Sequence, residues 1–137
     1  MGKEMFFIFL ASFYILSSQE IYSVKLPNKL KETSGLEVFN EEFITINDKG
    51  NNSIIYSFDK SGKILGEFVV KAKNKDWEAL ALDENGNLNI ADTGNNTYSR
   101  RKLKVLIVKI THNYCKVIGS MILKINKEDK VNIEAIT

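Results

Sequence analysis

The sequence predicts an all-β protein made of two consecutive four-stranded antiparallel units. Three observations carry this expectation: an internal repeat, short apolar segments with two-residue alternation, and turns marked by glycine and asparagine in a chain of 137 residues that holds one proline. Both residues reach positive φ easily and therefore punctuate hairpins. At 44% hydrophobic and 26% charged residues the chain has the composition of an ordinary globular domain with a core of its own.

The repeat emerges when the sequence is laid on itself at an offset of 44. "SGLEVFNEEFITINDKGNN" (34–52) then falls without a gap on "EALALDENGNLNIADTGNN" (78–96), so that Asp48 meets Asp92 and Gly50, Asn51 and Asn52 meet Gly94, Asn95 and Asn96. Further on, "KILGEFVV" (63–70) resembles "KVIGSMIL" (116–123) at an offset of 53, and "DWEALA" (76–81) meets "NIEAIT" (132–137) at an offset of 56. The growing offset places one insertion after Asn96, around "TYSRRK", and a smaller one after Leu123.

Taken in chain order, Lys3 precedes an apolar run over 5–16 that ends in Ser17 and Ser18. This is the layout of a signal peptide over 1–18, and the run is too short for a stable membrane anchor. An exported protein, periplasmic or extracellular, is expected. Unit one then covers about 30–72, unit two about 76–126, and a third begins at about 131–137. Unit two reads as strands over 79–82, 87–91, 103–110 and 116–125, separated by turns such as "DENGNL", with "DKSGKI" as the counterpart in unit one.

A period of 40–50 residues with four strands per unit is the sequence pattern of a β-propeller blade. Propellers close with four to eight blades, so two blades and the start of a third leave the ring incomplete. Missing downstream blades, or self-association, are expected to complete it.

A formal net charge of +2 without a basic run gives no footprint for DNA or RNA, and no nucleic-acid partner is expected. Cys115 is the only cysteine, which excludes an internal disulfide, and with His112 three residues before it there are too few ligands for a zinc site.

Asp76 and Glu78 flank Trp77, so on a strand both carboxylates share one face while the indole turns to the other. They suit a cation or general acid and base work; equally, they suit turn caps or pairs with Lys73, Lys75 or Arg100. Asp48 and Asp92 each open a D-x-G-N-N stretch, where an aspartate caps backbone amides two residues on. Arg100 and Arg101, inside the insertion, suit a phosphate or carboxylate ligand, or cover for a strand edge.

The segments "ETSGL" (32–36), "NDKGN" (47–51) and "DWEALALDENGNLNIADTGNN" (76–96), with Arg100 or Arg101 following, resemble the opening blades of exported bacterial propellers related to the SdiA-regulated family. More distantly the chain is similar to NHL-type propellers and to the calcium-dependent, six-bladed gluconolactonase and strictosidine-synthase-like propellers. The resemblance covers about 26–137. It implies that each first strand lies beside a central axis, with Asn47, Asp48, Glu78 and Glu134 turned toward one mouth of the channel. It implies calcium as the cofactor, held by Asn47, Asp48, Glu78 and Asp92, and Asp76, Glu78, Glu134 and Arg100 as ligand-binding residues. The expected function is a binding or recognition scaffold for a small molecule or protein; the alternative is a calcium-dependent hydrolase of lactone, phosphate or other ester substrates.

Overall fold

The computed structural model describes residues 23–136; the segment expected to be a signal peptide lies outside them. The described chain is all-β. Eight strands follow one another as β1 (Thr33–Phe39), β2 (Glu42–Asn47), β3 (Ile54–Phe58), β4 (Ile64–Val69), β5 (Trp77–Leu82), β6 (Leu88–Asp92), β7 (Lys102–Ile110) and β8 (Cys115–Lys124). They form two four-stranded antiparallel sheets in the orders β1-β2-β3-β4 and β5-β6-β7-β8. The only helical piece described is one 3-10 turn at Asn28–Leu30. Among the described residues no helix is long and apolar enough to cross a membrane.

Local chemistry sets the hairpins. Between β1 and β2 the two-residue loop Asn40–Glu41 has positive φ at both positions, 50° and 65°, the geometry whose twist matches the flanking strands. Asp59 turns β3 into β4 by accepting the Ser61 and Lys63 amides on Oδ1 at 2.8 and 3.1 Å. Asp83 does the same between β5 and β6 with the Asn85 and Asn87 amides at 2.9 and 2.8 Å. In each case a side-chain oxygen replaces a backbone partner and closes the turn.

Strand pairing corrects the ungapped repeat by one residue. Thr33 pairs with Asn47 and Trp77 with Asp92, so position 92 is the counterpart of Asn47, and not of Asp48 as the offset of 44 implies. The extra residue of unit two lies in the longer turn before β6. The insertion after Asn96 is likewise spread out: β7 and β8 run nine and ten residues, against five and six in β3 and β4.

The register puts alternate residues on opposite faces, and the two sheets pack face to face. Ile44, Ile46, Ile55 and Val70 of the first unit meet Trp77, Leu80, Leu88, Ile90, Leu106, Val108 and Ile110 of the second in one buried cluster. The other face of the first sheet holds Tyr56 and Phe58, covered by Leu30 and Leu26 of the entering segment. Both outward faces keep apolar residues in solvent, with Leu36 and Val38 exposed on the first sheet and Met121 on the second.

The first strands of the two sheets approach most closely at Gly35, the extra residue of a bulge in β1. Its φ is +77°, and a β-carbon there would stand 2.7 Å from the backbone nitrogen of Leu80. Beside it, Ser34 Oγ donates to the Glu78 carbonyl at 2.5 Å. Both the backbone angle and the lack of space require glycine. Gly35→Ala is expected to cost about 1–3 kcal/mol or more by overpacking and strain, read as a lower urea midpoint; an unchanged midpoint would mean that the strands do not meet as described.

Candidate functional site

A cluster of carboxylates forms where the two sheets meet. Asp48 leaves the end of β2, Asp76 stands just before β5, and Glu78 lies within β5. One carboxylate oxygen from each lies within 4.8 Å of the others. Two local features aim them. Glu78 is the unpaired residue of a bulge between Trp77 and Ala79, and a bulge redirects the side chain it carries. Asp48 is positioned by Asn74, whose Nδ2 donates to the carbonyls of Asn47 and Asp48 at 3.0 and 3.1 Å. The Oδ1 of Asn74 accepts the Trp77 amide at 3.1 Å, so this one amide side chain ties the end of β2 to the start of β5.

The floor of the cluster is Gly94. A β-carbon at this position would overlap Glu78 Oε1 and the Asp76 carboxyl group, so the glycine is required by space and not by its φ. The Asp76 side chain is 5% exposed. It accepts no hydrogen bond of ordinary length from the described residues, and its one ion-pair partner is Lys49, 3.6 Å away on a side chain 64% exposed.

The segment 131–136 also reaches this region, where Glu134 acts on the Glu78 carboxyl. Asn132 steadies Glu134 by donating from Nδ2 to its Oε1 and to Asn96 Oδ1 at 2.9 Å. The Glu78 pKa is pushed up to about 7, first by desolvation, then by the hydrogen bond and charge of Glu134, then by the charges of Asp48 and Asp76. Desolvation also raises the Asp76 pKa, with Lys49 acting in opposition.

The residues expected from the sequence separate into two groups. Asp48, Asp76 and Glu78 converge and Glu134 acts on Glu78, whereas Asp92 and Arg100 are engaged elsewhere. Asn47 directs Nδ2 to the Lys29 carbonyl at 2.6 Å, and its buried Oδ1 has no partner among the described residues. Asp92, 1% exposed, accepts the Asp76 amide at 3.1 Å and pairs with Arg100 at 2.9 Å. Arg100 also donates to the Gly94 carbonyl at 2.6 Å, so its guanidinium braces the loop around the cluster. Asp92 does not cap its own turn as its D-x-G-N-N setting implies; it holds the start of β5. Arg101 donates to the carbonyls of Asn126 and Asp129. Trp77 lies between the sheets, fully buried, with its indole Nε1 unpaired.

Sequence reading missed Asn74, Lys49 and the space held by Gly94. Gly94 recurs as Gly50 in the ungapped repeat, which offered a signal, although a turn explained it equally well. Asn74 has no counterpart in either neighbouring unit and left none.

Carboxylates alone, gathered this closely, offer hard oxygen ligands to a hard cation, and a carboxyl group whose pKa is pushed up to about 7 offers acid and base chemistry near neutrality. No protein-family model matches the chain, and no curated protein is significantly similar to it.

The raised Glu78 pKa fixes a pH dependence for the ion-free chain. Between the ordinary glutamate range and about 7 the folded state binds more protons than the unfolded state, so stability falls as pH rises through this window. Melts in chelator between about pH 5 and about pH 8 should show Tm declining, and Glu78→Gln should flatten the slope. A flat wild-type profile would mean that the Glu78 pKa is not raised in the folded chain. Gly94→Ala should lower Tm and disturb the same slope, since the added methyl displaces both carboxyl groups.

Proposed function

We propose that the two sheets are successive blades of an exported β-propeller and that the protein is a binding scaffold whose ligand site is centred on a hard divalent cation such as calcium. The observation that carries the ligand class is the convergence of Asp48, Asp76 and Glu78 from two consecutive units within 4.8 Å. Calcium takes six to eight oxygens at 2.3–2.6 Å, and three carboxylates supply up to six. Support for the blade reading comes from the order of each sheet, from the close approach of β1 and β5, and from the apolar residues on both outward faces. Those faces suit further sheets stacked as the first two are.

One observation favours a second reading, a cation-assisted hydrolase. Glu78 keeps a proton up to about pH 7 beside the more exposed Glu134, and a carboxyl group poised there serves as general acid or base to a water on the metal. A scaffold needs the cation alone, whereas the hydrolase also needs Glu78 to exchange its proton with the substrate.

Titration of the chain with calcium chloride by calorimetry tests the cation. Binding heat should accompany a rise in stability of about 2.7 kcal/mol at a hundredfold excess over Kd. Asp76→Asn should abolish both. Absence of heat and an unchanged Tm would overturn the cation reading.

A further inference from the structure

We infer that the outer edge of β8 is a docking site for an extended peptide segment of another protein, apolar in its middle and acidic at its ends, which pairs with the strand over 119–124. The site lies outside the carboxylate cluster and is independent of the cation reading. β8 is the last strand of its sheet, so alternate residues direct N–H and C=O groups away from β7 with no strand to receive them. It is ten residues long, against six in β4, the strand at the same place in the first sheet.

Charge sets this edge apart. From 102 to 124 the hairpin of β7 and β8 carries Lys102, Lys104, Lys109, Lys116 and Lys124 and no aspartate or glutamate. Two pairs of these stand directly across the ladder, Lys102 with Lys124 and Lys109 with Lys116. Like charges in such positions oppose the pairing that holds them, and none of the five lysines belongs to an ion pair among the described residues. Carboxylates brought to either end relieve that repulsion. β4 differs: its one charged residue, Glu67, pairs with Lys29 at 2.6 Å.

Between the lysine pairs the strand is uncharged from Val117 to Leu123. Lysines that guard an edge against pairing interrupt its apolar run; here they stand at its ends. Ile118 is the extra residue of a bulge, skipped between Val117 and Gly119 in the pairing with β7, and a bulge interrupts an edge. The continuous part is therefore 119–124. Within it Met121 and Ile122 stand on opposite faces and are 58% and 56% exposed, so solvent reaches both faces of the strand at one place. A lipid surface meets one face and leaves the unpaired amides without partners. An added strand pairs with those amides and sets side chains beside Met121 and Ile122 alike. A second copy of the chain is disfavoured at this edge, because antiparallel pairing of β8 on itself over 117–123 places Lys116 opposite Lys124.

The test adds two capped peptides of alternating valine and threonine, one ending in glutamates and one in lysines, to the whole chain. Hydrogen exchange by mass spectrometry reads the edge, and anisotropy of the labelled peptides reads affinity. The glutamate-ended peptide should slow exchange across 119–124 and bind about tenfold more tightly than the lysine-ended one, with the difference shrinking as salt is raised. A proline in the middle of the glutamate-ended peptide should abolish the protection, since it cannot donate to a ladder. Lys124→Glu, at an exposed strand end, should narrow the difference between the two peptides and leave Tm unchanged. Equal binding of both peptides, or no protection of 119–124 by either, would overturn the proposal. Protection by phosphatidylserine vesicles and not by the glutamate-ended peptide would overturn it in favour of an anionic membrane, and protection that rises with protein concentration alone would overturn it in favour of a second copy.

Discussion

The approach of β1 to β5 at Gly35 is the contact on which the other features depend. Two sheets can stack at many separations, but the site requires that Asp48, which leaves the first sheet, reach Asp76 and Glu78 in the second. With no β-carbon at position 35, the β1 backbone comes against the Leu80 amide, and the Ser34 hydroxyl secures the Glu78 carbonyl. Behind this seam Trp77 and the isoleucines and leucines of both sheets form one apolar cluster, which supplies the main driving force for stacking. The hydrophobic packing is tolerant of detail. The Gly35 contact is not, and it sets the spacing of the carboxylates.

Once the spacing is set, electrostatics follows. Unit charges 4 Å apart interact by about 4 kcal/mol at an effective dielectric of 20, so the three carboxylates cannot all remain ionised and close without relief. The structure presents two forms of relief, and the proposed cation would be a third. Glu78 keeps a proton up to about pH 7, and the Lys49 ammonium stands 3.6 Å from Asp76. They exclude one another in part. A cation must displace the proton and has no need of Lys49, whose long exposed side chain can withdraw into solvent with little loss. On the proposed reading, pH dependence and cation affinity would report the same repulsion.

Much of the fold was legible in the sequence because period-two alternation and Asx turns are local. The strands expected over 103–110 and 116–125 differ from β7 and β8 by a residue at most termini. The one-residue slip in the repeat was not legible. Identity between Asp48 and Asp92 outweighed the shorter loop of the first hairpin, and only pairing reveals that Asn47 and Asp92 occupy one place. The slip matters for the site: since side chains alternate, it assigned to Asp92 the setting of Asp48, whereas Asp92 turns to Arg100 and the Asp76 amide. Glu78 and Glu134 were legible because the repeat superposes them. Lys49 and Asn74 were not, since their roles depend on the distance between sheets and no local pattern encodes it.

A site built at a seam has a consequence for evolution and for stability alike. Its residues are held by two different units, Asp48 by the first and Asp76 and Glu78 by the second, so no single sheet gathers the carboxylates, and loosening the stack separates them before it unfolds any strand. The same argument applies to the segment that follows, at the same end of the second sheet. There Thr93 and Asn95 receive the segment 131–136 through its carbonyls and the Asn132 side chain, much as Ser34 receives Glu78. Contacts of this type are repeated from unit to unit because the units are repeated; the carboxylates are not, since position 34 carries serine where 78 and 134 carry glutamate. Packing is therefore the periodic part of the molecule, and charge is the part that singles out one place along it.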